Sequence, residues 1–466
     1  MTFRPILTAE EMVAAEGAAM ADGVSVEELM ERAGRAVADI AWRIAGKSEA
    51  LILCGPGNNG GDGYVVARLL ADRGCKVRVA ALAEPRTDVA KAACERWGGP
   101  VEPVADAKSA PLLIDALFGT GLMRPLGDTL AKTLAEHVGK ARYSIAVDLP
   151  SGIETDSGAL LSAVPHFDVT VGLGALKPAH LLQPSARYLG RVILGEIGVE
   201  ASSSLVELGR PGITAPTPGD HKYSRGFVLV AKGAMAGAAC LCAGAAMRAG
   251  AGYVMLAGPD HGAGPLALVH RPASDPRALA DLLADERVNV AAIGPGLGLN
   301  EEADARLDEI LTSGRRLVLD ADALTLMVRR GAECLNALET PPILTPHHGE
   351  FVRLFGGGAG NKVERARDAA SRSGSVVVYK GSDTVIAAPD GRAAIAPPAP
   401  TWLASAGTGD VLTGIVAARY ATSGDAFTAA CEAVWLHGEA ARRAGPFLIA
   451  DDLVGALPGT LAACLQ

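Results

Sequence analysis

Two layered α/β domains, each built on a mostly parallel sheet, are what this sequence predicts. Three observations carry the prediction. Short apolar runs alternate with segments of helical periodicity, the pattern of βαβ units covered on both faces. The chain has 466 residues, too many for one typical domain. The alternation also stops between Ala201 and Gly219, where serine, glycine and proline replace periodic apolar residues. A linker is therefore expected at Arg210 to Pro218, between domains at 1–209 and 219–466.

In chain order, Thr8 to Ile44 predicts helix. Thr8-Ala9-Glu10-Glu11 forms a capping box, and Val26, Leu29, Met30, Ala33, Val37 and Ile40 keep helical spacing. A strand at Ala50–Cys54, a turn over Gly55–Gly63, a helix at Tyr64–Arg73 and a strand at Lys76–Leu82 make a βαβ unit. Further strands are expected at Leu112–Ile114, Tyr143–Val147, Val169–Leu173 and Arg191–Ile197, with helices near Thr87–Trp97 and Leu126–Val138. The second series opens with strand Phe227–Val230 and the small-residue helix Gly237–Ala249. It continues through strands ending at Leu256, Ile293, Leu319, Thr345 and Tyr379, a hairpin around Pro389-Asp390-Gly391, and a helix launched by Asp410.

Composition narrows the function classes. Hydrophobic residues make up 49%, charged residues 20% and aromatic residues 4%, a globular balance with small-residue packing. The net charge of -9 disfavours nucleic acid and acidic membranes as partners. The eight cysteines lack any CxxC spacing and are expected to be reduced core thiols, which points to a cytoplasmic protein. Met1 to Met20 carries Glu10, Glu11 and Glu16 and has no basic-then-apolar signal layout. The run Gly233 to Met247 is bracketed by Lys232 and Arg248 and is shorter than a membrane span.

The first domain holds its chemistry in three loops. Gly55-Pro56-Gly57-Asn58-Asn59-Gly60-Gly61-Asp62-Gly63 follows a strand, and Gly55, Gly57 and Gly60 satisfy G-x-G-x-x-G. That dinucleotide fingerprint leaves the two asparagines and the aspartate unexplained. Their oxygens and amides suit a sugar, an amide or a monovalent cation; the alternative is asparagines occupying left-handed turn positions. Asp115 and Asp148 close two later strands, where ligands of parallel sheets bind. NNGGDG, then DALFGTGL, then DLPSG, in this order, closely resembles the NAD(P)H-hydrate epimerase family over residues 1 to 205. The resemblance implies a Rossmann-like domain. By it, Asn58, Asn59, Gly60, Gly61 and Asp62, with Gly119, Thr120, Gly121, Leu122, Met123, Arg124 and Pro125, line the hydrated nicotinamide nucleotide. It further implies Asp148 near the reacting ring as acid/base, and Asn59, Asp115 and Ser151 as potassium ligands.

In the second domain the stretch Ser405 to Gly414 stands out, with Asp410 behind Gly407-Thr408-Gly409 and ahead of an apolar helix. Free N–H groups at a helix start make an anion site, and a neighbouring carboxylate suits a base acting on a hydroxyl. A glycine turn with an ordinary capping Asp is the alternative. Gly294-Pro295-Gly296-Leu297-Gly298, Asp320-Ala321-Asp322, Thr345-Pro346-His347-His348-Gly349-Glu350 and Tyr379-Lys380-Gly381-Ser382-Asp383-Thr384 all follow strands. Two histidines and an acid could also ligate zinc, but no further ligand stands nearby. KYSRG, GPGLG, DADAL, TPHxGE, KGSDT and GTGDVLTG together resemble the ribokinase-like superfamily and, within it, the ADP-dependent NAD(P)H-hydrate dehydratases. Coverage runs from His221 to the end, with His348 where many relatives have proline. The resemblance implies that Lys380, Gly381, Ser382, Asp383, Thr384 and Gly409 hold the adenine nucleotide with magnesium. Ala238, Gly296, Gly298, His347 and Asp410 would face the hydrate.

The expected protein is a bifunctional repair enzyme acting on hydrated NADH and NADPH with ADP as co-substrate and AMP as product. A homo-oligomer is implied by the family. The competing readings are a ribokinase-like small-molecule kinase fused to a nucleotide-binding domain, and a nucleotide-sensing module regulating the second domain.

Overall fold

Apolar runs with no charged residue become strands covered on both faces: every residue of Ala50–Cys54, Val169–Leu173 and Phe227–Ala231 is buried. The computed structural model describes residues 3–260 and 264–466, so Met1 and Thr2, which open the first predicted domain, lie outside the described residues. The chain divides into two compact units. One is Pro5–Leu205; in the other, Phe3 and Arg4 join Val206–Gln466. Both are α/β with mostly parallel sheets.

The first unit holds a seven-stranded parallel sheet. Its order is Val101–Pro103, Val77–Ala81, Ala50–Cys54, Leu112–Ala116, Tyr143–Val147, Val169–Leu173 and Arg191–Gly195. The chain starts at Ala50–Cys54, builds outward to one side, then returns to build from Leu112–Ala116. The loops leaving these two strands therefore diverge and leave a crevice, the usual ligand position of such sheets.

In the second unit the parallel core runs Val376–Tyr379, Ile343–Leu344, Arg316–Leu319, Val290–Ile293, Phe227–Ala231, Tyr253–Gly258 and Val269–Pro272. The chain adds strands on one side of Phe227–Ala231, then returns to build outward on the other side from Val290–Ile293, still in parallel. Val385–Ala387 and Ala393–Ile395 add the expected hairpin in antiparallel register. Leu205–Leu208 and Phe3–Pro5 extend the sheet beyond it. The non-periodic stretch from Ala201 thus contributes a strand just ahead of the linker expected at Arg210 to Pro218, because Leu205 and Leu208 are buried in a way that local periodicity does not reveal.

Two other boundaries differ from expectation. The opening helix is split into Ala9–Ala21 and Val26–Ala45, with Gly23 at φ 98° in the break and Ser25 capping the second piece. The helix after Ala50–Cys54 starts at Asn58, not Tyr64. Glycine lowers helix propensity, yet here the close packing requires it: a Cβ on Gly60 would sit 1.9 Å from the Gly55 carbonyl oxygen. The asparagines are therefore helical rather than left-handed turn residues.

The small-residue helix Ala236–Arg248 packs against Thr408–Ser423, where a Cβ on Gly414 would lie 2.1 Å from the Cys242 carbonyl oxygen. Dense packing, not a flat ligand, accounts for most of its alanines. Among the described residues no helix is long and apolar enough to cross a membrane.

Candidate active sites

In the first unit, the start of helix Asn58–Asp72, the loop after Leu112–Ala116 and the turn after Tyr143–Val147 meet at a cavity of about 390 Å³. Asn58, Asn59, Asp62, Thr120 and Asp148 line it, together with Glu16 and Lys177. Asp148 takes a left-handed backbone, φ 65°, which an aspartate tolerates better than most residues. This turn lets its carboxylate meet Lys177 Nζ at 2.6 Å and accept from the Leu173 and Thr120 backbone amides at 3.2 and 3.1 Å. The Thr120 hydroxyl donates to it as well.

Burial pushes the Asp148 pKa up, but the Lys177 charge and these hydrogen bonds outweigh it and bring it down to about 2. His180 accepts the Lys177 amide hydrogen on Nδ1 at 2.9 Å and so donates from Nε2 to the Asp148 carbonyl oxygen at 2.7 Å. Asp62 stands opposite in character: burial first, then the charges of Asp148 and Glu16, drive its pKa well up. Glu16 is raised by burial too. Two carboxyls with raised pKa values beside one with a lowered pKa is the arrangement that separates acid from base roles.

Asp115 is buried at the end of its strand. Its oxygens accept from the Leu117 amide at 3.1 Å, the Ser151 amide at 2.9 Å and the Ser151 hydroxyl at 2.8 Å. Burial raises its pKa to about 6 despite these bonds. Asn59 Nδ2 is buried without a hydrogen-bond partner, beside Gly119, whose added Cβ would lie 2.8 Å from Asn59 Oδ1 and 3.2 Å from Asp148 Cβ. Of the Gly119–Pro125 segment only Thr120 lines the cavity; Leu122 is core, and Gly121, Met123, Arg124 and Pro125 are exposed. Gly60 and Gly61 are not in its lining; an added Cβ would meet Gly55 and Met30 respectively.

In the second unit the parallel strands bring their carboxyl ends to one edge of the sheet. Helix Thr408–Ser423 starts there with Gly407 as N-cap, φ 86°, and no side chain capping it. The first bond back into the helix is Val411 N–H to the Gly407 carbonyl, so the preceding amides stay free for an anion. Lys380 Nζ lies 2.9 Å from Asp320 Oδ1, and the Thr413 hydroxyl donates to Asp320 Oδ2 at 2.6 Å. Burial, then the Asp320 charge, raises the Asp410 pKa to about 6, with Lys380 opposing.

A cavity of about 450 Å³ opens beside this helix start, lined by Lys380, Gly381, Ser382, Thr384 and Gly409 among others. Asp383 is not in its lining; its carboxylate pairs with Lys362 at 2.6 Å.

Gly296, φ 63°, presses on Met235, where an added Cβ would lie 2.3 Å from the carbonyl oxygen; the Gly298 amide donates to Asp322 at 2.9 Å. Ala238 is half-buried in the first turn of its helix. His347 is exposed and caps helix His348–Phe355, its Nδ1 accepting from the Gly349 and Glu350 amides at 2.9 and 3.3 Å. His348 Nδ1 instead meets the Tyr379 hydroxyl at 2.6 Å. Among the described residues no group of three His, Cys, Asp or Glu side chains could hold a metal ion.

Residues 26–179 match the family described as YjeF-related protein N-terminus, and residues 227–451 the family described as NAD(P)H-hydrate dehydratase. A bifunctional NAD(P)H-hydrate repair enzyme of Thermofilum pendens is 35% identical over 458 residues, covering 89% of this chain and 87% of that protein. The chain belongs to the bifunctional NAD(P)H-hydrate repair enzymes. A repair enzyme of the same name from Mycobacterium tuberculosis is 36% identical, covering 79% of this chain and 77% of its own. Among solved structures, an ADP/ATP-dependent NAD(P)H-hydrate dehydratase of Bacillus subtilis, co-crystallised with ATP and magnesium, is 29% identical. It covers 55% of this chain and 99% of that chain, with a TM-score of 0.48.

Two groups in this repair enzyme's first cavity escaped sequence reasoning. Glu16 sits in an otherwise ordinary helix and offers no local signal. Lys177 does: with His180 it is the only titratable residue between Val169 and Ala186, and a lone cation in an apolar run needs a buried partner. Asp320, read only as an acidic strand end, is the counter-ion of Lys380.

Proposed function

We propose that the chain repairs hydrated NADH and NADPH in two steps. The segment 1–209 interconverts the R and S hydrates. The segment 219–466 dehydrates the S hydrate at the expense of ADP, giving NAD(P)H, AMP and phosphate. The observation that carries the reading is Asp410, a half-buried carboxylate beside uncapped helix-start amides, next to a cavity lined by Lys380 and Gly409.

The hydrate's hydroxyl is a poor leaving group. Asp410 takes its proton as the oxygen attacks the terminal phosphorus of ADP, and the bond to the AMP oxygen breaks. The amides at the helix start and the Lys380 ammonium meet the phosphoryl oxygens as charge shifts to AMP. The ring nitrogen's lone pair then expels phosphate, and loss of a neighbouring ring proton restores the double bond. With no three-residue metal cluster among the described residues, magnesium would be carried mainly by the nucleotide's own phosphates.

In the first unit, Asp62, its pKa driven well up by burial, suits a general acid toward the hydrate oxygen, while ionised Asp148, locked by Lys177, stabilises positive charge on the ring. This refines the expectation that Asp148 alone carries the proton transfer, since a carboxylate with a pKa of about 2 is a weak base. Asn59, Asp115 and Ser151 would hold potassium. A buried Asp115 is consistent with that, because a monovalent cation would offset the carboxylate's burial. A cytoplasmic setting is supported by eight cysteines without CxxC spacing, most of them buried; homo-oligomeric assembly completes the reading.

A kinase acting on a hydroxymethyl group would use the same base and anion site. The convergence of Asp62, Asp148 and Lys177 in the first unit favours repair. Incubation with mixed R and S hydrates of NADH plus ADP should restore the reduced-nicotinamide absorbance completely. No recovery with ADP or ATP, from folded protein, would rule the reading out.

A pH dependence follows as well. Asp410 must be ionised to accept a proton, so kcat/KM for dehydration should be level above neutrality. It should drop about tenfold per pH unit below the Asp410 pKa of about 6. An acid limb near the ordinary carboxylate value of 3.8 would show that Asp410 is not the titrating base.

A further inference from the structure

Helix Ala426–Ala444 brings His437 to the wall of the 450 Å³ cavity, between Trp435 and Gly438. Its Nε2 lies 2.9 Å from the carbonyl oxygen of Thr408. A carbonyl oxygen only accepts, so the ring hydrogen sits on Nε2. Burial holds the ring's pKa down to about 4, so the imidazole is neutral near pH 7. Nδ1 then carries a lone pair. Among the described residues it has no hydrogen-bond partner, and it is not one of the buried unpartnered atoms. It therefore presents an acceptor to the cavity.

The bond to Thr408 matters too. Thr408 opens the helix behind Gly407, and the planar peptide that carries its carbonyl also carries the Gly409 N–H on the opposite side. Fixing the carbonyl toward His437 fixes that N–H toward the anion site.

We propose that His437 is a nucleotide-binding residue whose Nδ1 accepts a hydrogen bond from a donor of the bound nucleotide, while its Nε2–H holds the peptide that meets the phosphates. The donor is an amine of the base or a hydroxyl of the ribose. A ligand offering an acceptor at that point would leave two lone pairs facing each other, so the histidine selects as well as binds. This deepens the reading of the cavity as the ADP site and rests on it.

The test compares ADP with inosine diphosphate, 2′-deoxy-ADP and 3′-deoxy-ADP, by calorimetric binding and by dehydration kinetics. Wild type is set beside His437→Phe and His437→Asn. In the wild type one analogue should bind about tenfold more weakly than ADP, the usual loss for one hydrogen bond left unmade. His437→Phe should bind ADP about tenfold more weakly and treat that analogue and ADP alike. Its kcat should fall as well, since the Gly409 amide loses its anchor. His437→Asn, which can return an acceptor near Nδ1, should recover part of the discrimination, and it replaces the phenylalanine variant if that one does not fold. Equal ADP affinity in wild type and variant, or unchanged discrimination, would overturn the proposal. A wild type that binds no ADP would instead overturn the nucleotide reading of the cavity, and the proposal with it.

Discussion

Replacing Asp410 with asparagine should abolish dehydration, lowering kcat by about 10²–10⁴, while epimerisation continues at the wild-type rate. Asparagine keeps the size of the side chain and leaves the helix start uncapped, so the anion site and the Lys380–Asp320 pair persist. Only the lone pair able to take the hydroxyl proton is lost. The KM for ADP should therefore change little, which separates a missing base from a damaged site. Recovery of the reduced-nicotinamide band reports dehydration, and chromatographic separation of the R and S hydrates reports epimerisation. Residual dehydration within about tenfold of wild type would remove Asp410 as the base. Loss of both activities would argue against independent sites.

Lys177→Met should have the largest effect on the first unit. It leaves the Asp148 carboxylate buried without its cation, and breaking one side of such a pair costs about 3–5 kcal/mol. For a unit of this size that corresponds to a fall of roughly 10 °C in its thermal midpoint. Epimerisation should fall by about a hundredfold or more, because the carboxylate proposed to act on the ring is no longer held ionised. The pH dependence has a defined sign. Asp148 is depressed from its usual 3.8 to about 2, so its contribution to stability is complete above pH 3.8 and is lost as pH falls through about 2. Without Lys177 burial dominates and the Asp148 pKa rises, so the deficit is greatest at neutral pH and narrows on acidification. Differential scanning calorimetry across pH checks this. A variant with the wild-type midpoint and rate would show that the ion pair serves neither stability nor chemistry.

Much of the site was legible because its parts sit at strand ends. Asp115, Asp148, Asp320 and Lys380 each follow an apolar run, and parallel pairing delivers such residues to one edge of their sheet, whereas Asp410 follows a glycine turn at a helix start. What strand position does not reveal is which way a side chain turns. Asp383 lies inside a predicted nucleotide loop yet pairs with Lys362, and Leu122 lies in a predicted substrate loop yet fills the core. His347 was expected at the hydrate and is also the N-cap of its helix, a role that the TPHHGE spacing could have signalled through Glu350. Glu16 reaches the first cavity from a helix far away in sequence, and no local pattern marks it.

By itself the sequence determined the two α/β units, the alternation that builds their parallel sheets, the loops that carry the chemistry and the family. These follow from periodicity and from motif order, which are local properties. Only the tertiary structure decided the ionisation of the working groups. Asp62 and Asp148 are the same residue type on neighbouring elements, yet the pKa of one is driven well up and that of the other down to about 2, because Lys177 reaches only Asp148 with a hydrogen bond. Asp410 likewise owes its raised pKa to burial and to Asp320, brought beside it from a strand end 90 residues earlier. Charge and burial act through space, and through-space neighbours exist only once the sheets have formed.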